Sequence, residues 1–413
     1  MPHLPTLLLQ IAVVVGISRL FGWLFRRLHQ PQVIGEMVAG ISLGPSLLGW
    51  LAPATFNRLF PSESFGFLNA ISQLGVVLFM FLVGLELNLT LLKRLGRIAI
   101  TTSLSSILVP FVSGFLLALY IHPHLASENI NAIHFAVFIG AAMSVTAFPV
   151  LARILIERNL FHTRIGALSI ASAAVGDVMA WGLLAVSILL VRGSGIASHL
   201  VGMFIELVVF ISVMIFLIRP LLKKVEAHHH QTAEIPTGIL ALIILLILAS
   251  ALVTEWIGIH ALFGAFLAGA IMPKSENFSN AIAHKFEDVT LVLLLPIFFA
   301  FTGLKTTIGL LSGANLWGFC LLIIVIAILG KVGGATLAAR ASGIPWREAS
   351  AVGVLLNTRG LVELVLLNIG LEAGILTPTV FTMMVLMALV TTTITTPLLH
   401  LIHPATEPER GIR

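Results

Sequence analysis

Apolar positions fill this chain in long blocks, and polar positions gather in short stretches between them, such as "RRLHQP", "SGIPW" and "LHPATEPER". A block of about 17–25 apolar residues is the length a helix needs to cross the hydrocarbon core of a bilayer. Proline, glycine and charge clusters mark where each block stops. Thirteen such segments are expected, at roughly 6–25, 31–50, 65–87, 98–120, 131–155, 164–191, 200–219, 236–254, 258–273, 286–304, 315–339, 347–370 and 377–401. The fold class is an all-α polytopic membrane protein of about 13 transmembrane helices.

Composition agrees: 58% of residues are hydrophobic and 10% charged, against about 25% charged in soluble domains. The net charge of +5 raises the question of nucleic acid, but the positions of the charges answer it. Most Lys and Arg alternate onto one side of the expected spans, and only Arg58, Arg192 and Lys305 fall on the other. The positive-inside rule then places the N-terminus outside and the C-terminus in the cytoplasm of a cell (inner) membrane, with no nucleic-acid partner. The lone cysteine, Cys320, rules out an intrachain disulfide. The first segment is too long for a signal-peptide core and lacks a basic leader, so it is expected to stay as a span. The sequence has no G-x-G-x-x-G after a strand, no P-loop and no HExxH, which argues against an enzyme or nucleotide-driven pump. No cofactor is expected.

The chain repeats itself. "LGVVLFMFLVGLELNLTLL" (Leu74–Leu92) aligns with "LLLPIFFAFTGLKTTIGLL" (Leu293–Leu311), and "GEMVAGISLGP" in the preceding span resembles "GAFLAGAIMP". The copies lie seven spans apart, and an odd offset reverses orientation. The expected organisation is one transporter domain over 1–413, made of two inverted-topology six-helix repeats. The first covers 1–192, a linker helix and cytoplasmic loop cover 193–235, the second repeat covers 236–403, and 404–413 form a short tail. Inverted repeats are a signature of secondary transporters with a site near the midplane.

Two spans carry polar interruptions at mid-depth. One reads "SVTAFPVLAR", with Ser144, Thr146 and Pro149, where proline removes a backbone donor and frees carbonyls. The other reads "NTRGLVEL", with Asn357, Thr358, Arg359 and Gly360. They occupy corresponding places in the two halves, and irregular backbone at that depth is tolerated only where it lines a cavity or is buried in protein.

Charges inside the spans follow. Asp177 lies near the centre of the 164–191 segment, where a carboxylate costs about 2.5–3.5 kcal/mol on insertion scales. A buried carboxylate holds a proton or a cation but not both, and that competition is the core of exchange. Lys331 in "ILGKVGGA" is the second deep charge, beside Gly330, Gly333 and Gly334, which admit a close helix. It is a candidate counter-charge to Asp177. Arg359 and Glu363 are four apart and are expected to pair on one helix face in a structural role; Arg does not release its proton usefully. Glu36, Glu86, Glu206 and Glu255 lie nearer segment ends and read as solvated at the interface. His228–His230 read as a solvated cytoplasmic loop, and His260 and His284 carry no assignment.

With these motifs in order along essentially the whole chain, the sequence resembles the monovalent cation:proton antiporters, Kef-type branch. The resemblance rests on "QPQVIGEMVAGISLGPSLLG", "LFMFLVGLEL", "SVTAFPVLARIL", "AVGDVMAW", "ILGKVGGA" and "NTRGLVELVLL". It implies a dimerisation domain beside a six-helix core in which two unwound helices cross. It also implies a homodimer and an elevator-like movement of the core. It places the ion-binding aspartate on Asp177 and the core lysine on Lys331. The unwound segments fall on Ser144–Pro149 and Asn357–Gly360, with Ser144, Thr146, Asn357 and Thr358 as ion-binding candidates. One departure stands out: the residue before the aspartate is usually Asp, Asn or Gln in that family, and here it is Gly176. A single titrating carboxylate points to one-for-one, electroneutral exchange of Na+ or K+ for H+. The cytosolic nucleotide-binding domain of many Kef-type proteins is missing from this sequence, so regulation of that kind needs a separate subunit. Three other readings stay open on the residues: a channel-like K+ efflux protein, a sodium- or proton-coupled organic-anion carrier, and an ion sensor that moves nothing.

Overall fold

The computed structural model describes residues 4–402 apart from 29, 87–88, 128–129, 159, 162, 193–195, 229–234 and 259–260. At some helical positions within that range, among them Pro149 and Asp177, the side chain lies outside the described residues. So do His229, His230, His260 and the 404–413 tail.

The thirteen expected segments all overlap helices. Nine helices among the described residues are long and apolar enough to cross a membrane, and Ala132–Ser144 and Ala261–Ala270 are shorter apolar helices. Helix is the form that satisfies every backbone donor and acceptor within one apolar segment.

Several boundaries differ from expectation. The 98–120 segment is part of a helix running from Leu89 to Leu125 with Pro110 inside it. The linker helix Ile196–Val213 passes through a π-helical turn at Met214–Ile218 and continues as Arg219–His228, into the expected loop. A second π turn, Thr290–Leu294, joins Glu276–Val289 to Leu295–Leu304. The stretch between the second and third expected spans also forms helix, at Pro53–Leu59.

The chain packs as two units, each drawn from both sequence halves. One comprises Met1–Val15, Phe60–Leu89 and Arg192–Phe301. Here the helix Phe65–Glu86 packs on Ala261–Ala270 so closely that a Cβ at Gly84 would overlap the Phe266 carbonyl oxygen, and one at Gly269 the Phe81 carbonyl oxygen. Gly264 lies equally tight against the Ser250 carbonyl of Thr237–Ile257. Lys274 Nζ ties the carbonyl ends of both crossing helices together, donating to Gly84 O at 3.0 Å, Leu85 O at 2.5 Å and Gly269 O at 3.4 Å.

The other unit comprises Gly16–Leu59, Thr90–Val191 and Thr302–Arg413. A Cβ at Gly303 would stand 2.5 Å from Ile41 N, and one at Gly35 would stand 2.6 Å from Phe21 O. In the repeat alignment Gly84 matches Gly303, and Gly35 and Gly40 match Gly264 and Gly269. The matched glycines thus sit at matched helix crossings. Glu36 corrects the interfacial reading: it is 1% exposed and accepts from Gln32 Nε2 at 2.9 Å.

Candidate functional site

Both polar interruptions are real breaks, and they meet. The helix Ala132–Ser144 starts on Asn131, whose side chain accepts from Ile133 N at 2.8 Å. It ends at Ser144, and the chain is extended at Val145 before a new helix begins at Phe148. Pro149 therefore sits in the first turn of the second half-helix. A missing N–H costs nothing there, so the proline starts a helix rather than kinking one. In the other break, Trp346–Leu356 ends, Asn357–Gly360 are irregular, and Leu361–Glu372 begins. Gly360 has φ +154° and ψ −121°, a conformation open to glycine, and a Cβ there would stand 2.9 Å from Val150 Cγ2. The breaks bond to each other: Ala147 N donates to Thr358 O at 3.0 Å, and Thr146 Oγ1 donates to Leu356 O at 3.1 Å.

The two deep cations converge on one helix end. Lys331 Nζ donates to Ser144 O. Arg359 reaches the same last turn, with Nη1 donating to Ala142 O at 3.1 Å and Nη2 to Met143 O at 2.5 Å. A helix C-terminus carries about half a negative charge on its unbonded carbonyls. Two fully buried cations there complement that charge and satisfy the carbonyls left free by the break. Lys331 and Arg359 are 0% and 1% exposed, a burial that would be untenable without such partners.

Arg359 also pairs with Glu363, Nη1 to Oε1 at 3.4 Å, as the spacing predicts. It does so from the break, however, not from the helix that carries Glu363, which starts at Leu361. Its backbone is held by a residue that sequence reasoning missed. Thr392 Oγ1 accepts from Arg359 N at 2.9 Å and donates to Arg359 O at 2.8 Å. The one local trace of it in the sequence is the hydroxyl run "TTTITT" in the last span.

Ser144, Thr146, Asn357 and Thr358 are all buried at the crossing. Ser144 and Thr358 turn their hydroxyls onto carbonyls of their own helices, Ala141 O at 2.7 Å and Leu355 O at 2.8 Å. Asn357 Oδ1 differs: it is a buried carbonyl oxygen with no hydrogen-bond partner among the described residues. Gly330 and Gly334 admit the Leu89–Leu125 helix at Ser113 and Val109, while Gly333 faces open space. Asp177 lies on the Arg164–Arg192 helix, but its side chain is outside the described residues. The arrangement is a buried polar crossing with free acceptor capacity and cationic side chains fixed at one helix end.

The family model for the sodium/hydrogen exchanger transmembrane region matches residues 14–402. The chain is 46% identical over 400 residues to the Na+/H+ antiporter NhaS4 of Synechocystis sp., covering 97% of both. It is 42% identical over 397 residues to Cation/H+ antiporter 17 of Arabidopsis thaliana, and spans 48% of that longer protein's length. The structure superposes on the sodium proton antiporter MjNhaP1 from Methanocaldococcus jannaschii with a TM-score of 0.68, over 94% of both chains at 16% identity, which is a likeness of fold.

Proposed function

The chain belongs to the sodium/hydrogen exchanger family, whose members are membrane transporters rather than enzymes, and we propose that it exchanges a monovalent cation for H+ by competition at Asp177. The observation that carries this reading is the meeting of two broken helices around the buried, unpartnered Asn357 Oδ1. Broken helices at a repeat interface are where cation-coupled carriers bind their ions. A cation entering the crossing finds neutral oxygens from Asn357 and from the irregular backbone, with Asp177 supplying the negative charge. A proton on Asp177 removes that charge and releases the cation. Lys331 and Arg359 spend donors on the Ala132–Ser144 carbonyls, which counts against an organic-anion site built on them.

The cation is Na+ or K+; NhaS4 is named for Na+, and the plant relative only for a cation. One carboxylate behind Gly176 makes the exchange electroneutral. The molecule spans the cytoplasmic membrane thirteen times as two inverted repeats, with its N-terminus outside. The matched glycine crossings at Gly84/Gly303 and Gly35/Gly264 support the repeat. It works as a homodimer among membrane lipids. Outward-facing Phe204, Phe216 and Trp256 on the linker helix and its neighbour offer apolar surface for lipid or a second copy.

The test is purified protein in liposomes with a pH-sensitive dye trapped inside. Under an imposed pH gradient, Na+ or K+ should restore the dye signal, with or without a membrane-potential clamp. Asp177→Asn should abolish the response in folded protein. Cation flux without proton movement would replace the reading with a channel. Binding without flux would replace it with a sensor.

A further inference from the structure

Gly176 leaves room that the helix crossing does not need. A Cβ built there would lie 3.6 Å from Ser103 Oγ and 3.8 Å from Ile107 Cδ1, ordinary contact distances. The glycine is therefore not imposed by close packing, unlike Gly84 or Gly269. What the small residue does is open the Arg164–Arg192 helix, one position before Asp177, onto the hydroxyl of Ser103 on Leu89–Leu125. The register is fixed one turn away, where Ser172 Oγ donates to Ala99 O at 3.4 Å.

Ser103 is 0% exposed, and its Oγ has no hydrogen-bond partner among the described residues. That is unusual. A serine within a helix ordinarily turns its hydroxyl back onto a carbonyl three or four residues earlier, as Ser106 does onto Ser103 O at 2.9 Å. Ser169, seven residues before Gly176 on the same helix face, is also fully buried with an unpartnered Oγ. Burying a hydroxyl without a partner is unfavourable, so a polar occupant of this seam is favoured.

We propose that Ser103 is a cation-binding residue of the transport site, its hydroxyl oxygen occupying the role of a polar side chain at position 176. This rests on the exchange reading at Asp177. Ser103 Oγ is a neutral oxygen donor, suited to a monovalent cation that is partly dehydrated, and adds no charge that would change the proton stoichiometry.

The experiment is exchange rate against Na+ and K+ concentration in dye-loaded liposomes, for the unaltered protein and for Ser103→Ala, Ser103→Thr, Ser103→Ala with Gly176→Asn, and Asp177→Asn. Ser103→Ala should raise the half-saturating cation concentration about tenfold, the scale of one hydrogen-bond-type contact to a charge. Ser103→Thr should keep the original value. Adding Gly176→Asn to Ser103→Ala should recover it, because an amide oxygen then reaches the same gap. Inactive Asp177→Asn together with an unchanged half-saturation in Ser103→Ala overturns the Ser103 role and leaves the exchange reading standing. A fall in maximal rate alone in Ser103→Ala overturns it too. Exchange retained in Asp177→Asn brings down both.

Discussion

Ala147 and Thr358 share a backbone hydrogen bond, amide nitrogen to carbonyl oxygen at 3.0 Å, although 211 positions separate their numbers. Each comes from the break in its own helix. The irregular segments therefore satisfy each other where neither water nor a continuous helix can, as buried backbone requires.

Thr146 reinforces that bond from the side chain, its hydroxyl donating to Leu356 O at 3.1 Å. Thr146→Val keeps the shape and strands a buried carbonyl, so stability should fall by about 1–3 kcal/mol. Thr146→Ser should lose much less. Thermal unfolding in detergent measures both, and equal losses would show that methyl packing rather than the hydroxyl holds the crossing.

Arg359 has more to lose. Arg359→Met removes the side-chain donor to Glu363 and to Met143 O, and leaves Ala142 O with the Val145 amide at 3.4 Å. Breaking one side of a buried pair costs about 3–5 kcal/mol. Glu363→Gln added to Arg359→Met should recover part of that loss, because the unpaired charge is gone. A double variant no more stable than Arg359→Met would mean that the carbonyls, not the ion pair, account for the cost.

The matched glycines make a paired prediction. Gly84→Ala and Gly303→Ala each push a methyl into the backbone of the crossing helix. Each should destabilise by about 1–3 kcal/mol through overpacking. Unfolding midpoints that shift for one and not the other would count against equivalent roles in the two halves.

Lys274 sets a pH dependence outside the spans. Burial, chiefly, and then the nearby Arg219 push its pKa down to about 8 against the favourable pull of Glu86. The unfolded chain keeps the proton up to the ordinary lysine range, about 10.4. Between these values the unfolded state binds more protons than the folded one, so this group's contribution makes stability rise as pH climbs from about 8 toward about 10.4. Lys274→Met should remove that slope from the unfolding midpoint measured against pH. An unchanged slope would assign it to another group.

The breaks were legible in the sequence because they need special residues: Pro149, Gly360 and polar side chains at mid-span. The deep charges were legible for the same reason, since they stand out in apolar blocks. Their partners were not. Lys331 meets Ser144 and Arg359 meets Met143 across 187 and 216 residues, and no local pattern encodes such a pairing. For Glu36, distance to a segment end is a poor guide to depth, since the residue is 1% exposed. The Gln32 side chain that bonds it lies against Gly22 of the preceding helix, and that neighbour closes the site over. Ser103 is not legible at all, because one hydroxyl among the six-residue run "TTSLSS" carries no mark of which side chain lacks a partner.

The capping of Ala132–Ser144 has a consequence in time. Its last carbonyls wait for Lys331 and Arg359, 187 and 216 residues downstream of Ser144 and Met143. At ribosomal rates of 5–20 residues per second, that wait is roughly 10–40 s. Throughout it, the nascent first half carries an unfinished helix end that nothing yet synthesised on the chain is placed to close as these two cations do. The broken helix is thus among the last parts of this protein to reach its final form, although it is among the earlier parts to leave the ribosome.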